Sequence, residues 1–243
     1  DDAQFKEYLV KLYNSAGGEN WRSKHNWCSD RPITEWHGVS IDYNGGYRIS
    51  LSNNNLTGSI DMSGCNVQFS FDCSDNELTS LNLKDCTKLI ELNCRRNSLS
   101  ELSVAGCTSL IKMNSERNVI KELDCSGCSS LTRLECFNPT LERLNISNCT
   151  SLTIYSFYST TGEDSCMKEI NASGCTSLNI CSCEYLQLER VDFSGCTALE
   201  EIICSNNKIT DINLSGCTSL KSLDCNNNEL TRLDISQSTE LQR

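Results

Sequence analysis

The feature that most constrains this chain is a period. Cysteines in the phrase (S/N/D)GC(T/S)xL and its variants stand at 65, 86, 107, 128, 149, 175, 196 and 217, spaced by 21 residues at every step except the 26 between 149 and 175. A second column follows eight residues behind, at Cys73, Cys94, Ser115, Cys136, Phe157, Cys183, Cys204 and Cys225. A period of this length marks a short supersecondary unit that cannot bury its apolar edge alone, so the units must stack into a solenoid. The apolar content of 38% over 243 residues, lean for one compact core, agrees with an elongated shape.

A chain with eighteen cysteines could use them as metal ligands, disulfide partners, nucleophiles or core filler. The second column admits Ser115 and Phe157, which a ligand or bridge position would not. Parallel strands stack about 4.8 Å apart. In-register cysteines therefore hold their Cβ atoms farther apart than the mean of about 3.8 Å in a disulfide, with parallel Cβ vectors. Cys125 takes a slot filled elsewhere by Leu83, Val104, Ile146 and Leu214, and Cys181 replaces a core leucine. The CxxC at 125–128 and the CxC at 181–183 are thus products of the repeat, and no histidine lies near either. Free thiols acting as small, soft core residues are expected, with Cys28 and Cys166 alone outside the columns. Both histidines, His25 and His37, precede the repeats, so a histidine-based hydrolase or metalloenzyme has little to work with. No catalytic residue, metal ligand or cofactor is expected, and the chain reads as a non-enzyme.

Each unit reads LxxLxCxxNxLxxLxLxxCxx, as in LKSLDCNNNELTRLDISQSTE from Leu220. This pattern resembles the leucine-rich repeats, and more narrowly the nested bacterial type in which a second LxxLxL phrase fills the variable half. The resemblance runs from Gly46 to the end. It implies a leucine-rich repeat solenoid with short parallel strands on the concave face, few helices and a helical N-terminal cap. The chain then divides into a capping region, 1–45, and repeats over 46–243: an opening copy, eight full copies and a truncated last one. One short strand per coil is expected around LxC, with Leu92, Leu134, Ile202 and Leu223 pointing into the core. Asn54, Asn76, Asn97, Asn118, Asn207 and Asn228 fall where the chain leaves that strand, and their buried amides must be satisfied by backbone groups of adjoining turns.

The segment FKEYLVKLYNSAGGENW places Phe5, Leu9 and Leu12 on one helical face and stops at Gly17 and Gly18. Trp36, Gly38 and Val39 are similar to a phrase in the N-terminal cap of plant-type leucine-rich repeats, where two disulfide-paired cysteines flank it; here those positions hold Thr34 and Ile41.

A formal charge of −11 and a pI near 4.7 repel phosphate backbones and anionic lipid, so nucleic-acid binding is not expected. No apolar run approaches the ~18 residues that span a bilayer, so membrane insertion is not expected either. The chain starts at Asp1 and not at methionine, which suggests a removed leader. Resemblance to internalin-like and other bacterial surface repeat proteins implies an extracellular or cell-surface location.

The expected function is non-catalytic recognition of a protein, or a glycan, on the concave face. The alternative is a structural spacer presenting a further domain, suggested by the ending inside a repeat at Arg243. Slots flanking LxC bring together Phe137, Tyr158, Tyr185, Ile154, Ile180 and Ile203, bordered by Arg95, Arg96, Arg117 and Arg133. The asparagine ladder fails here, at Pro139, Thr160 and Leu186, and five residues are inserted within STTGEDSCMKEI. Two readings stay open. The cluster is a recognition patch, or the inserted loop folds back and buries these rings as a local core.

Overall fold

The computed structural model describes residues 2–156 and 165–242. A helix, Asp2–Ser15, opens the chain, with Phe5, Leu9 and Leu12 fully buried as the spacing predicts. It ends where Gly17 turns left-handed at φ 69°, a conformation glycine adopts without the Cβ penalty. Phe5 stacks on Tyr47 at 4.7 Å and tilts against Phe69 at 5.7 Å, which seats the helix on the first coils. Trp21, Trp27 and Trp36 form a chain of rings beside it, edge-to-face between Trp21 and Trp27 and tilted between Trp27 and Trp36. Gly38 is required for close approach, since a Cβ there would lie 2.3 Å from the Ser50 carbonyl.

The coils contribute two strands each, where the sequence led us to expect one, except the last, which has Ser222–Asp224 alone among the described residues. The first sheet starts with Val39–Ile41 antiparallel to Tyr47–Ser50. It continues in parallel through Phe69–Asp72, Leu89–Asn93, Lys112–Asn114 and Arg133–Glu135. The same slot resumes as a four-stranded sheet: Ile154–Ser156, Ile180–Ser182, Glu201–Ile203 and Ser222–Asp224. The second sheet has eight parallel strands, from Thr57–Asp61 and Glu77–Asn82 to Asp211–Asn213. It is made by the LxxLxL phrase, whose Leu81, Leu102, Leu123 and Leu144 are buried in register. Its strands end at an Asp or Asn whose Oδ1 accepts the backbone N–H two residues on. Asp61, Asn82, Asp124, Asn145, Asn171, Asp192 and Asn213 all do this. Such Asx turns compete with the ladder and stop it.

Between Arg133–Glu135 and Ile154–Ser156 no ladder pairing forms among the described residues. The inward slot there holds Tyr155 in place of the aliphatic Leu92, Met113 and Leu134, and its small in-register neighbour Cys181 offsets the ring volume. The buried Tyr155 hydroxyl lies 3.2 Å from the Cys136 sulfur.

The asparagine ladder crosses the coils as expected. Asn118 accepts the Leu99 N–H at 2.9 Å and donates to the carbonyls of Cys94 and Ser115 at 3.0 Å. Asn76, Asn97 and Asn228 repeat the arrangement. The expected failure at Pro139 is repaired one residue earlier. Asn138 is buried, accepts the Asn118 N–H at 2.7 Å and donates to the Cys136 carbonyl at 2.9 Å. Residues at this preceding slot are left-handed in Asp75, Arg96, Arg117, Tyr185 and Asn206, and Asn138 is not. Proline pushes the residue before it toward extended backbone, which turns the Asn138 amide inward.

All eighteen cysteines are free thiols, fifteen of them buried. The first column does more than fill space. Cys86, Cys107, Cys149, Cys175, Cys196 and Cys217 each point Sγ at a carbonyl of the preceding coil, those of Met62, Leu83, Cys125, Ile146, Ala172 and Phe193, at 3.0–3.2 Å. A thiol suits this slot because it is small, nearly apolar and still a weak donor. The residue before each is left-handed, as Gly106 and Gly216 are at φ 78° and 81°, or is an Asp or Asn that tolerates it, as at Asp85 and Asn148.

In the second column Ser115 takes the place of a thiol, and its fully buried hydroxyl has no hydrogen-bond partner. Ser115→Cys restores the column and removes an unpaired buried hydroxyl. It is expected to stabilise the chain by about 1–2 kcal/mol, read as a raised urea midpoint at unchanged m.

Candidate recognition surface

The outward side chains of the first sheet divide into two halves. In the N-terminal half Glu91 pairs with its register neighbour Lys112 at 3.2 Å, and Arg133 pairs with Glu135. Asn114 donates to the same Glu135 carboxylate. These groups line a shallow depression of about 290 Å³. This half is polar and internally neutralised.

In the C-terminal half Ile154 and Ile180 are direct register neighbours, and Ile203 stands in the other outward column beside Ser182. Ile154 is 59% exposed and Tyr185 53% exposed, whereas Ile180 and Ile203 are half-buried. Phe137 is half-buried and packed against the core, so it is less available than its slot suggested. Tyr158 lies outside the described residues, as does most of the inserted segment. Tyr185 sits at φ 58° in the turn slot that elsewhere takes Asn53, Asp75, Arg96, Arg117, Asn206 and Asn227. A bulky residue there bears a conformational penalty that Asn or Asp largely escapes.

The four arginines do not form a free cationic rim. Arg95 lies 3.6 Å from Glu116, and Arg96 lies 3.4 Å from Asp75. Arg133 is held by Glu135, and Arg117 is exposed. Each pair is solvated and contributes little to stability, but the pairing removes net positive charge from the border.

Buried thiols hold their protons. Burial pushes Cys128, Cys175 and Cys217 up to about 11 and Cys86 and Cys94 up to about 12. A thiol so disfavoured as thiolate is a poor nucleophile. Among the described residues no group of three His, Cys, Asp or Glu side chains is placed to hold a metal ion, and no helix is long and apolar enough to cross a membrane.

The outward face of the second sheet escaped the sequence reading. Its first column runs Glu122, Arg143, Glu169, Arg190, Asp211 in register, with Arg143 at 2.6 Å from Glu122 and 3.8 Å from Glu169, and Arg190 at 3.8 Å from Asp211. Lys168 and Glu142 pair beside it at 2.7 Å. Opposite charges alternate because parallel stacking brings each residue beside its equivalent one coil away, where like charges repel. The signal was available as a sign change at each repeat in that slot from Glu122 onward.

A family model described as Leucine Rich repeats (2 copies) matches residues 197–238. No curated protein matches the chain. Similar solved structures include a leucine-rich repeat protein from Bacteroides ovatus, 20% identical, at TM-score 0.41 over 61% of this chain and 46% of that one. The functional domain of InlJ from Listeria monocytogenes is 20% identical, at TM-score 0.28 over 80% of this chain and 66% of that one. YopM from Yersinia enterocolitica is 19% identical, at TM-score 0.32 over 77% of this chain and 56% of that one. The chain therefore spans less than two thirds of each of these proteins. With its stacked coils, its asparagine ladder and the signature at 197–238, the chain is a leucine-rich repeat solenoid.

Proposed function

We propose that this solenoid is a non-catalytic recognition module that binds a protein partner through the outer face of the first sheet, around Ile154, Ile180, Ile203 and Tyr185. The observation that carries this reading is the exposure of Ile154 and Tyr185 beside half-buried Ile180 on an otherwise polar face. Exposed apolar clusters on soluble domains serve contact, and aromatic residues dominate contact energies. Arg117 and Arg133 border this surface, while Phe137 is half-buried against the core.

An extracellular or cell-surface location belongs to the same proposal and rests on the resemblance of the repeat pattern to exported repeat proteins. Fractionation of the source cells with an antibody to the chain checks it; confinement to the cytosol would refute that part.

The binding reading is tested on a partner captured by the wild-type chain and then identified. Ile154→Asp and Tyr185→Ala are each expected to weaken that partner at least about tenfold while leaving the melting temperature within about 2 °C, because both side chains face solvent. A large stability loss with unchanged affinity would instead make the cluster a local core.

A further inference from the structure

The outer face of the second sheet carries a trough of mixed polar and apolar lining beside the N-terminal helix, and we propose that it binds an extended, uncharged oligosaccharide. The trough encloses about 1030 Å³ between the helix and the strands from Thr57–Asp61 to Glu122–Asp124. A second depression of about 420 Å³ continues it past Arg143 to Glu169, and the two share Leu102 and Glu122. The two depressions together follow the solenoid axis and cross the strands.

Side-chain size creates this space. From Glu122 onward the first outward column is filled by long charged groups that bridge rung to rung, whereas the same column in the first two strands holds Ser59 and Ser80. The helix packs on the strand Thr57–Asp61, and a Cβ on Gly58 would lie 2.9 Å from the Ser15 carbonyl, which accounts for the glycine beside Ser59. Ser80 lies one rung farther on, and its smallness leaves the floor open.

The lining selects the ligand class. Lys11, Lys84 and Lys121 are balanced by Asp61, Glu101 and Glu122, so neither a polyanion nor a polycation is drawn in by net charge. None of the exposed large apolar side chains lies in the trough, and the one ring on its wall, Tyr8, is half-buried with its hydroxyl donating to the Ser63 carbonyl at 3.3 Å, so a protein partner finds little apolar anchor there. Hydroxyl, amide, ammonium and carboxylate groups instead offer donors and acceptors together, which is what the vicinal hydroxyls of a sugar require. They recur at each rung, about 4.8 Å apart, a step comparable to one ring of an extended sugar chain. Farther along, Asn145 and Asn171 spend Oδ1 on the backbone N–H groups of Ser147 and Ser173, and no Nδ2 partner is found among the described residues, leaving a donor at successive rungs.

The test is calorimetric titration of the whole chain with cellohexaose, xylohexaose, mannohexaose and chitohexaose, and with hexaglutamate as a charged peptide control. Ser80→Arg fills the floor and places its guanidinium beside Glu101, copying Arg143 beside Glu122, so the fold is expected to hold. Ser100→Arg, on the exposed rim, is the second variant should the first melt early. The proposal expects at least one hexasaccharide to bind, with a loss of about tenfold or more in the arginine variants and none in Ile154→Asp on the opposite sheet. No hexasaccharide binding at millimolar concentration, binding undiminished by the arginine variants, or binding of hexaglutamate alone would each overturn it.

Discussion

Replacing Asn207 with alanine is expected to destabilise the chain by about 3–4 kcal/mol, the largest effect of any single ladder position. Its Oδ1 accepts the N–H groups of Leu186 and Leu188 at 2.9 and 3.2 Å. Its Nδ2 donates to the carbonyls of Cys183, Cys204 and Ser205 at 2.8, 3.0 and 3.2 Å. Alanine leaves these buried backbone groups without partners, at about 1–3 kcal/mol each before relaxation and water entry reduce the sum. The neighbouring rung is Leu186, fully buried and without an amide to share the load, so Asn207 serves two coils alone. Solenoid stability is a sum of coil and interface terms, and this substitution weakens an interface. Asn228 makes similar bonds near the more open C-terminal end, so Asn228→Ala is expected to lose less. Urea denaturation of both variants checks the order. A loss below about 1 kcal/mol at Asn207 would contradict a structural ladder.

Much of this architecture was legible because the period acts on every residue at once. A 21-residue repeat with an apolar pattern fixes which side chains face inward, and Leu92, Ile202, Leu144 and the cysteines of both columns, half-buried Cys225 excepted, are buried accordingly. The second sheet was less legible. Its strands are mostly three residues long, as at Glu101–Ser103, and a three-residue strand has no alternation of its own to distinguish it from a turn. The repair at Asn138 depends on how Pro139 redirects the preceding backbone, which the ladder pattern alone does not encode. The candidate patch was legible as a slot but not as a depth. Ile154 and Phe137 both fall at outward positions, yet one is exposed and the other lies against the core. The arginine pairings were missed for a related reason. Arg96 and Asp75 stand 21 residues apart and meet only through stacking.

The role of the thiols was half legible. Their column positions predict burial, but the direction of each S–H toward a carbonyl of the previous coil follows from three-dimensional stacking. Their burial has a consequence for pH. A free thiol titrates near 9, while the buried Cys128, Cys175 and Cys217 hold their protons to about 11 and Cys86, Cys94 and Cys136 to about 12, chiefly through desolvation. The folded values are raised, so the stabilisation is fully present below pH 9 and is lost as pH rises toward the folded values, because the unfolded chain releases its protons first. Each such thiol contributes a slope of up to about 1.4 kcal/mol per pH unit in that window. With fourteen of the buried thiols shifted upward, alkaline unfolding is expected to set in steeply above pH 9. A chain equally stable at pH 8 and pH 10.5 would contradict this.

Protection of individual sulfurs at neutral pH examines the same idea without perturbing the fold. The chain is exposed to iodoacetamide under native conditions and each cysteine is followed by mass spectrometry. Cys28 and Cys166 should be modified promptly, half-buried Cys225 next, and the fifteen others only at the rate of global unfolding. Prompt modification within the two columns, or sulfurs that stay unreactive after unfolding because they are bridged, would contradict a core built on packed, protonated thiols.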